Sequence, residues 1–168
     1  MQTRKRAIAS LLIAFTLPLA AQEPVVGVDD PESLFEGGTR EERRNKQAAL
    51  HIMRELLQCN QWDRAGEWIT DRYIQHNPNA ESGLEGVVYF FTQVLQRQPT
   101  ETCDELTTPI VAVMAEGDLV TVILPRVYSH PVTGEPYTTT WFDTWRFVDG
   151  KADEHWDPAE ITPPDAAP

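Results

Sequence analysis

The chain has 168 residues, 41% of them hydrophobic, and sets 14 Lys and Arg against 26 Asp and Glu. The resulting net charge of −12 repels phosphate backbones and anionic membrane surfaces, which argues against a nucleic acid partner. The length suits one domain with one hydrophobic core.

Residues 1–21 read as a secretory signal peptide. Arg4, Lys5 and Arg6 form a positive start, and Ala7 to Leu19 is apolar but too short and too Pro-broken to span a bilayer. Ala20 and Ala21 then offer small residues for cleavage before Gln22. No Cys stands at that point to take a lipid. The expectation is therefore an exported protein, periplasmic or secreted, with no membrane insertion once the signal is removed. The remaining 147 residues carry a net charge of −15. In an oxidising compartment Cys59 and Cys103 are a candidate disulfide pair; the alternative is two inert half-buried thiols. Neither has the neighbours of a zinc site.

Residues 22–39 hold two Pro, three Gly and five acids between Glu23 and Gly38 and no sustained period, which predicts a flexible lead-in. From Arg40 the pattern turns helical. Ala48, Ile52, Met53, Leu56 and Leu57 recur at helical spacing, behind Thr39 as N-cap and Glu41 and Glu42 in the first turn. A short second helix is predicted over Trp62–Thr70. Asp71–Asn79 is predicted to turn the chain, because a residue before Pro disfavours the helical region. A third helix is predicted from Gly83 to Arg97, with Val87, Phe90, Phe91, Val94 and Leu95 on its apolar face and Pro99 beyond its end. The second half is β-branched. Strands are predicted over Pro109–Ala115, Asp118–Tyr128, Tyr137–Val148 and Lys151–Ile161, with hairpin turns at Gly117 and Asp149–Gly150. Residues 162–168, rich in Pro, are expected to fray. About three N-terminal helices followed by about four antiparallel strands make an α+β domain over 40–161.

Two strings carry titratable chemistry. Gln75-His76-Asn77-Pro78 and Glu154-His155-Trp156-Asp157 each set an imidazole beside hydrogen-bonding or acidic partners and an aromatic ring. An unperturbed imidazole titrates near neutral pH, so His76 and His155 suit proton transfer or hydrogen-bond donation; for His76 the alternative is a structural ring tying its loop to a backbone carbonyl. Strand alternation puts Trp141, Asp143, Trp145 and Phe147 on one face, where an ionised Asp143 is costly unless a donor stands near. His155 and Asp157 share a face of the last strand with Trp156 opposite, although a bulge would upset that parity. Tyr73, Asn77, Trp141, Trp145 and Trp156 are candidate ligand-contacting residues. A set of His76, His155 and Asp157 as metal ligands is the minority alternative; no HxH or HxxxH pair supports it, and neither a metal nor any other cofactor is expected. His51 and His130 look peripheral.

Three stretches together carry a family resemblance. They are Tyr73-Ile74-Gln75-His76-Asn77-Pro78 with Gly83, Gly86 and Phe90-Phe91; Ala115-Glu116-Gly117-Asp118-Leu119-Val120; and Asp143-Thr144-Trp145-Arg146-Phe147 with Asp149-Gly150-Lys151 and Glu154-His155-Trp156-Asp157. In this order they resemble the SnoaL-like branch of the nuclear transport factor 2-like superfamily. The resemblance implies a cone: a curved antiparallel sheet wrapped around helices, with a pocket at the wide end. It also implies a homodimer joined through the outer sheet face and a small hydrophobic molecule as partner. Members of that superfamily include polyketide cyclases and ketosteroid isomerases, and the resemblance to the cyclases implies chemistry without a metal or cofactor. By resemblance Asp143 is a candidate proton-donating oxyanion partner. The expected activities are cyclase, isomerase or aldol-type lyase chemistry, with His76, Asp143, His155 and Asp157 as the catalytic candidates. The alternative is a non-catalytic binding or dimerisation module, because this scaffold has many uses.

Overall fold

The computed structural model describes residues 23–161; the expected signal peptide (1–21) and tail (162–168) lie outside the described residues. The first amphipathic stripe forms α1, Arg40–His51, and continues as a wider π-helical stretch over Ile52–Gln58. At its start the Thr39 hydroxyl accepts from the Glu42 N–H (3.2 Å), and the Glu42 carboxylate accepts from the Thr39 N–H (2.7 Å). This reciprocal pair fixes where the helix begins. At its end the Cys59 N–H reaches five residues back to the Arg54 carbonyl, the hallmark of a π turn. A second helix, α2, covers only Ala65–Trp68. A third, α3, covers Leu84–Tyr89 and widens in the same way over Phe90–Val94. Gly86 makes its start possible: a Cβ there would stand 2.6 Å from the Glu81 carbonyl oxygen, closer than any side chain tolerates.

Five strands form one curved, open sheet in the order β1-β5-β4-β3-β2. They are β1, Ile69–Gln75; β2, Ala112–Glu116; β3, Leu119–Ser129; β4, Pro136–Val148; and β5, Lys151–Trp156. The antiparallel meander of β2 to β5 follows the expected order. Asp149 and Gly150 both adopt positive φ (51° and 84°), as the tight turn between β4 and β5 requires. The helices lie against one face of the sheet, so the α+β class stands. Among the described residues no helix is long and apolar enough to cross a membrane.

Two expectations are corrected here. The second helix stops at Trp68, and the segment expected to turn the chain is instead mostly strand. The residues of β1, Ile69-Thr70-Asp71-Arg72-Tyr73-Ile74-Gln75, include β-branched and aromatic side chains that favour extension. They find a partner at the open edge of β5, running parallel to it. The sheet thus has a fifth strand that ends just before His76. Second, the lead-in is docked. Phe35 is completely buried, Val28 N–H bonds Ile110 C=O, and the Glu32 carboxylate holds both Arg54 (3.0 Å) and the Leu106 N–H (2.7 Å). One Phe and one paired acid anchor a segment whose composition has no period.

A bulge in β5 decides what faces inward. Phe147 pairs with Ala152 and Arg146 with Glu154, so Asp153 is an extra residue. Without it, Ala152 and Glu154 would share a face. With it, Ala152 and His155 both face the interior, buried to 0% and 7% exposure, while Glu154 turns outward. The Asp153 carboxylate anchors this irregularity. It accepts from the Thr70 hydroxyl (2.8 Å) and from the Arg72 guanidinium, in the stretch where β1 also breaks register. The Arg72 hydrogen bond, helped by Thr70 and opposed by burial, holds the Asp153 carboxyl below its ordinary range.

Candidate active site

A cavity of about 490 Å³ opens between the helices and the inner sheet face. Its helical wall comes from the two π-helical stretches, through Ile52, Met53 and Leu57 on one and Phe90 and Phe91 on the other. Trp62 stacks on Phe91 with ring centroids 4.0 Å apart. On the sheet wall, Trp141, Asp143 and Trp145 line the cavity together, as strand alternation requires.

The polar end is built from three strands. His155, from β5, lies between two acceptors. Its Nδ1 is 2.8 Å from Gln75 Oε1 and its Nε2 is 3.2 Å from Asp143 Oδ1. Gln75 Oε1 also accepts from the Asn77 backbone N–H at 2.9 Å. A backbone N–H only donates, so that oxygen is the acceptor and His155 Nδ1 carries a proton. A second proton must then sit between Nε2 and Asp143 Oδ1, since two lone pairs repel at that distance. The same Asp143 oxygen accepts from Trp141 Nε1 at 3.1 Å. Asp143 and His155 are each only 7% exposed.

Asp157 stands just past the end of β5. One of its oxygens accepts from Asn77 Nδ2 (2.8 Å) and the other from the Ala159 N–H (2.9 Å). Asp143, His155 and Asp157 offer ligand atoms that all lie within 4.8 Å of one another, the one such grouping among the described residues. Tyr73 completes the end. It is 3% exposed, its hydroxyl oxygen accepts from Trp145 Nε1 at 3.2 Å, and it is stacked near His155. Burial pushes the Tyr73 hydroxyl far above its ordinary range, so it stays a protonated donor. Its own O–H is given to no acceptor among the described residues.

The structure therefore brings together Tyr73, Asn77, Trp141, Asp143, Trp145, His155 and Asp157. It separates His76 and Trp156 from them, which corrects the expectation that both belong to the site. Trp156 pairs with Thr144 on the outer sheet face. His76 stacks on Trp156 (5.2 Å), its Nε2 is 2.9 Å from Glu154, and its side chain is 44% exposed. The metal set of His76, His155 and Asp157 does not converge for the same reason. His51 pairs with Glu55, and His130 accepts two N–H bonds within its own loop. Gln75, the residue that fixes the His155 tautomer, was not a candidate from sequence. Reading β1 as a strand would have found it, because Tyr73, Gln75 and Asn77 then share a face and His76 takes the other. Cys59 and Cys103 form a disulfide with Cα atoms 6.0 Å apart. It ties the segment after α3 to the end of the first π-helical stretch.

The fold agrees with comparisons to known proteins. The chain resembles a polyketide cyclase candidate from Bacillus cereus at 17% identity and a TM-score of 0.51, covering 80% of this chain and 84% of that one. A SnoaL-like polyketide cyclase candidate from Jannaschia gives 18% identity and a TM-score of 0.51 over 73% and 91% of the two chains. One from Acidithiobacillus ferrooxidans gives 18% and 0.50 over 68% and 86%. At such identity the likeness is one of fold. No curated protein matches the sequence significantly. The family model of the SnoaL-like domain matches residues 51–155, a span that runs from the end of α1 to His155, and the chain belongs to that family.

Proposed function

We propose that this SnoaL-like protein is an exported acid–base catalyst of the cyclase, isomerase or aldol type. It acts on a small, largely apolar carbonyl compound and needs no cofactor. The observation that carries the reading is the buried Asp143–His155 pair, set in a cavity with aromatic walls beside the Tyr73 phenol, whose O–H is given to no acceptor among the described residues.

The division of labour follows from which atoms are free. Both ring nitrogens of His155 are engaged, so the imidazole is a proton holder and not the group that meets the ligand. Asp143 Oδ1 takes the Trp141 and His155 contacts, while Oδ2 takes no hydrogen bond among the described residues. Asp143 Oδ2 is therefore assigned as the base that removes a proton alpha to the carbonyl. The electron pair of that C–H bond forms the C=C bond of the enolate, and the carbonyl π pair moves onto the oxygen. The O–H of Tyr73 donates to this developing oxyanion, and the hydrogen bond it receives from Trp145 strengthens its own. His155, held by Gln75, offsets the charge on Asp143. The proton taken up by Asp143 Oδ2 is returned to carbon when the enolate collapses, while Asp157, oriented by Asn77, keeps a second carboxylate at this polar end.

Export is part of the proposal, supported by the signal-like start and by the disulfide, which suits an oxidising compartment. So is a homodimer through the outer sheet face, where Met114 and Phe142 stay exposed. The engaged state of His155 and Asp157 favours a second reading, a binding module without turnover. Deuterium uptake separates the two. A cyclic ketone such as 2-tetralone, incubated with the protein in deuterated buffer and followed by proton NMR, should exchange its α-protons faster than in buffer alone. Asp143→Asn should remove the acceleration. A ketone that binds the cavity and exchanges no faster would leave only the binding module.

A further inference from the structure

The groups of this cavity that lack a partner are largely donors, and two of them are cations. Arg126 continues the inner-face series Val120, Val122, Leu124 along β3, opposite Thr139 and beyond the level of Asp143. Its guanidinium stacks over Trp141 at 4.7 Å. Arg97 comes from the other layer, just after the π-helical end of α3. Both line the cavity and both are exposed, which places them at its open end. Among the described residues neither makes an ion pair or a side-chain hydrogen bond, whereas Arg54, Arg64, Arg72 and Arg146 are paired with carboxylates; Arg40, Arg43 and Arg44 make no ion pair either, but they do not line the cavity. In a chain with nearly two acids for each base, two cations left without a carboxylate beside one cavity call for an explanation. Trp62, on the wall beside Arg97, is 3% exposed, and its Nε1–H meets no acceptor among the described residues, which costs stability.

The cavity is thus polarised. Its buried end carries Asp143 and Asp157, and its open end carries Arg97 and Arg126. An anionic group is repelled from the first and attracted to the second, so an elongated ligand with one charged end has one favoured orientation. We propose that the ligand of this cavity carries a carboxylate, held at the open end by Arg97 and Arg126, with its neutral carbonyl directed to the buried end. This rests on the catalytic reading only for which end reacts; the anion preference stands on the arginines. Guanidinium suits the role because its planar fork matches a carboxylate.

The test compares naphthalene-2-carboxylate with its methyl ester, a neutral probe of the same ring system, by calorimetric titration of the purified protein at low salt. The carboxylate should bind at least tenfold more tightly, against the repulsion of a strongly acidic protein. Arg126→Met and Arg97→Met should each cut that preference to threefold or less, and Arg126→Lys should keep part of it. Thermal melts establish that each variant is folded. A preference below tenfold, a preference untouched by both Met variants, or no measurable binding of either probe at millimolar concentration overturns the proposal. Its failure is distinct from that of the catalytic reading. Ketone exchange without anion preference removes the subsite and keeps the catalyst; anion preference without exchange does the reverse.

Discussion

Two imidazole–carboxylate pairs sit on opposite faces of β5, one residue out of step. His155 meets Asp143 at 3.2 Å inside the cavity, and His76 meets Glu154 at 2.9 Å on the outer face. The chemistry is the same and the separations are close, yet the surroundings differ. The His155 and Asp143 side chains are 9% and 10% exposed, against 44% for His76. The inner pair is fixed by Gln75 and Trp141 and walled by aromatic rings. The outer pair belongs to a chain of surface charges that runs on through Arg146 to Asp118. An exposed pair gains little because water competes for it, whereas a buried one must be satisfied by partners and holds its proton in a fixed place. Enclosure and orientation, more than the residue types, distinguish the pair inside the cavity from the surface ion pair.

Breaking the inner pair should have the largest effect. Asp143→Asn should lower α-proton exchange by about 100-fold or more, the usual scale of general acid–base catalysis, with the fold retained in circular dichroism. His76→Ala should leave exchange within about twofold and cost about 1 kcal/mol or less in urea unfolding, as exposed pairs do. Equal losses from both variants would erase the contrast.

The disulfide gives the next largest effect, and it acts on stability. Cys59 and Cys103 are 44 residues apart, and the chain-entropy account assigns a loop of that length about 4 kcal/mol. Reduction should lower the urea midpoint accordingly and loosen the segment that carries Arg97.

The bulge sharpens the comparison, because it decides which histidine faces in. Asp153→Ala removes the acceptor of Thr70 and Arg72 and should cost about 2 kcal/mol, the scale of a charged hydrogen bond. It should also reduce exchange without touching the cavity. Glu154→Ala, one residue on, should do neither to a comparable degree.

Acid dependence is the smallest effect. Hydrogen bonds from His76 and Arg146 hold the Glu154 carboxyl below its ordinary range, as Arg72 and Thr70 do for Asp153. Folded protein therefore binds these protons less readily than unfolded protein does. Their stabilisation is complete above the unfolded carboxylate range near pH 4 and fades as pH falls through the depressed folded values. Stability curves of Asp153→Asn and wild type should converge below that range and separate above it.

Much of the fold was legible because its signals are local. The Thr39 capping box, the apolar stripe of α1, the Gly117 and Asp149–Gly150 turns and the alternation of β4 all act within a few residues. What could not be read depends on distant partners. β1 is a strand because β5 offers it an open edge, some 80 residues further along the chain. Asn77-Pro78 does end the element, as expected of a residue before Pro, but the element ended is a strand. The docked lead-in depends on one Phe and one Glu. The site was half legible for the same reason. Alternation placed Trp141, Asp143 and Trp145 together on β4. On β5 the inward turn of His155 rests on an extra residue at Asp153, whose role depends on Arg72 and Thr70. Treating residues 71–79 as a turn hid the shared face of Tyr73, Gln75 and Asn77, and left His76 where Gln75 belongs.

The most direct measurement is long-range nitrogen–proton NMR of the four histidine rings in the folded protein. The account predicts that His155 holds its Nδ1 proton in slow exchange with water, that Gln75→Leu abolishes this protection, and that His76 exchanges rapidly throughout. A His155 ring that loses its Nδ1 proton to solvent as fast as His76, with a mixture of tautomers, would contradict a fixed acid–base pair inside the cavity.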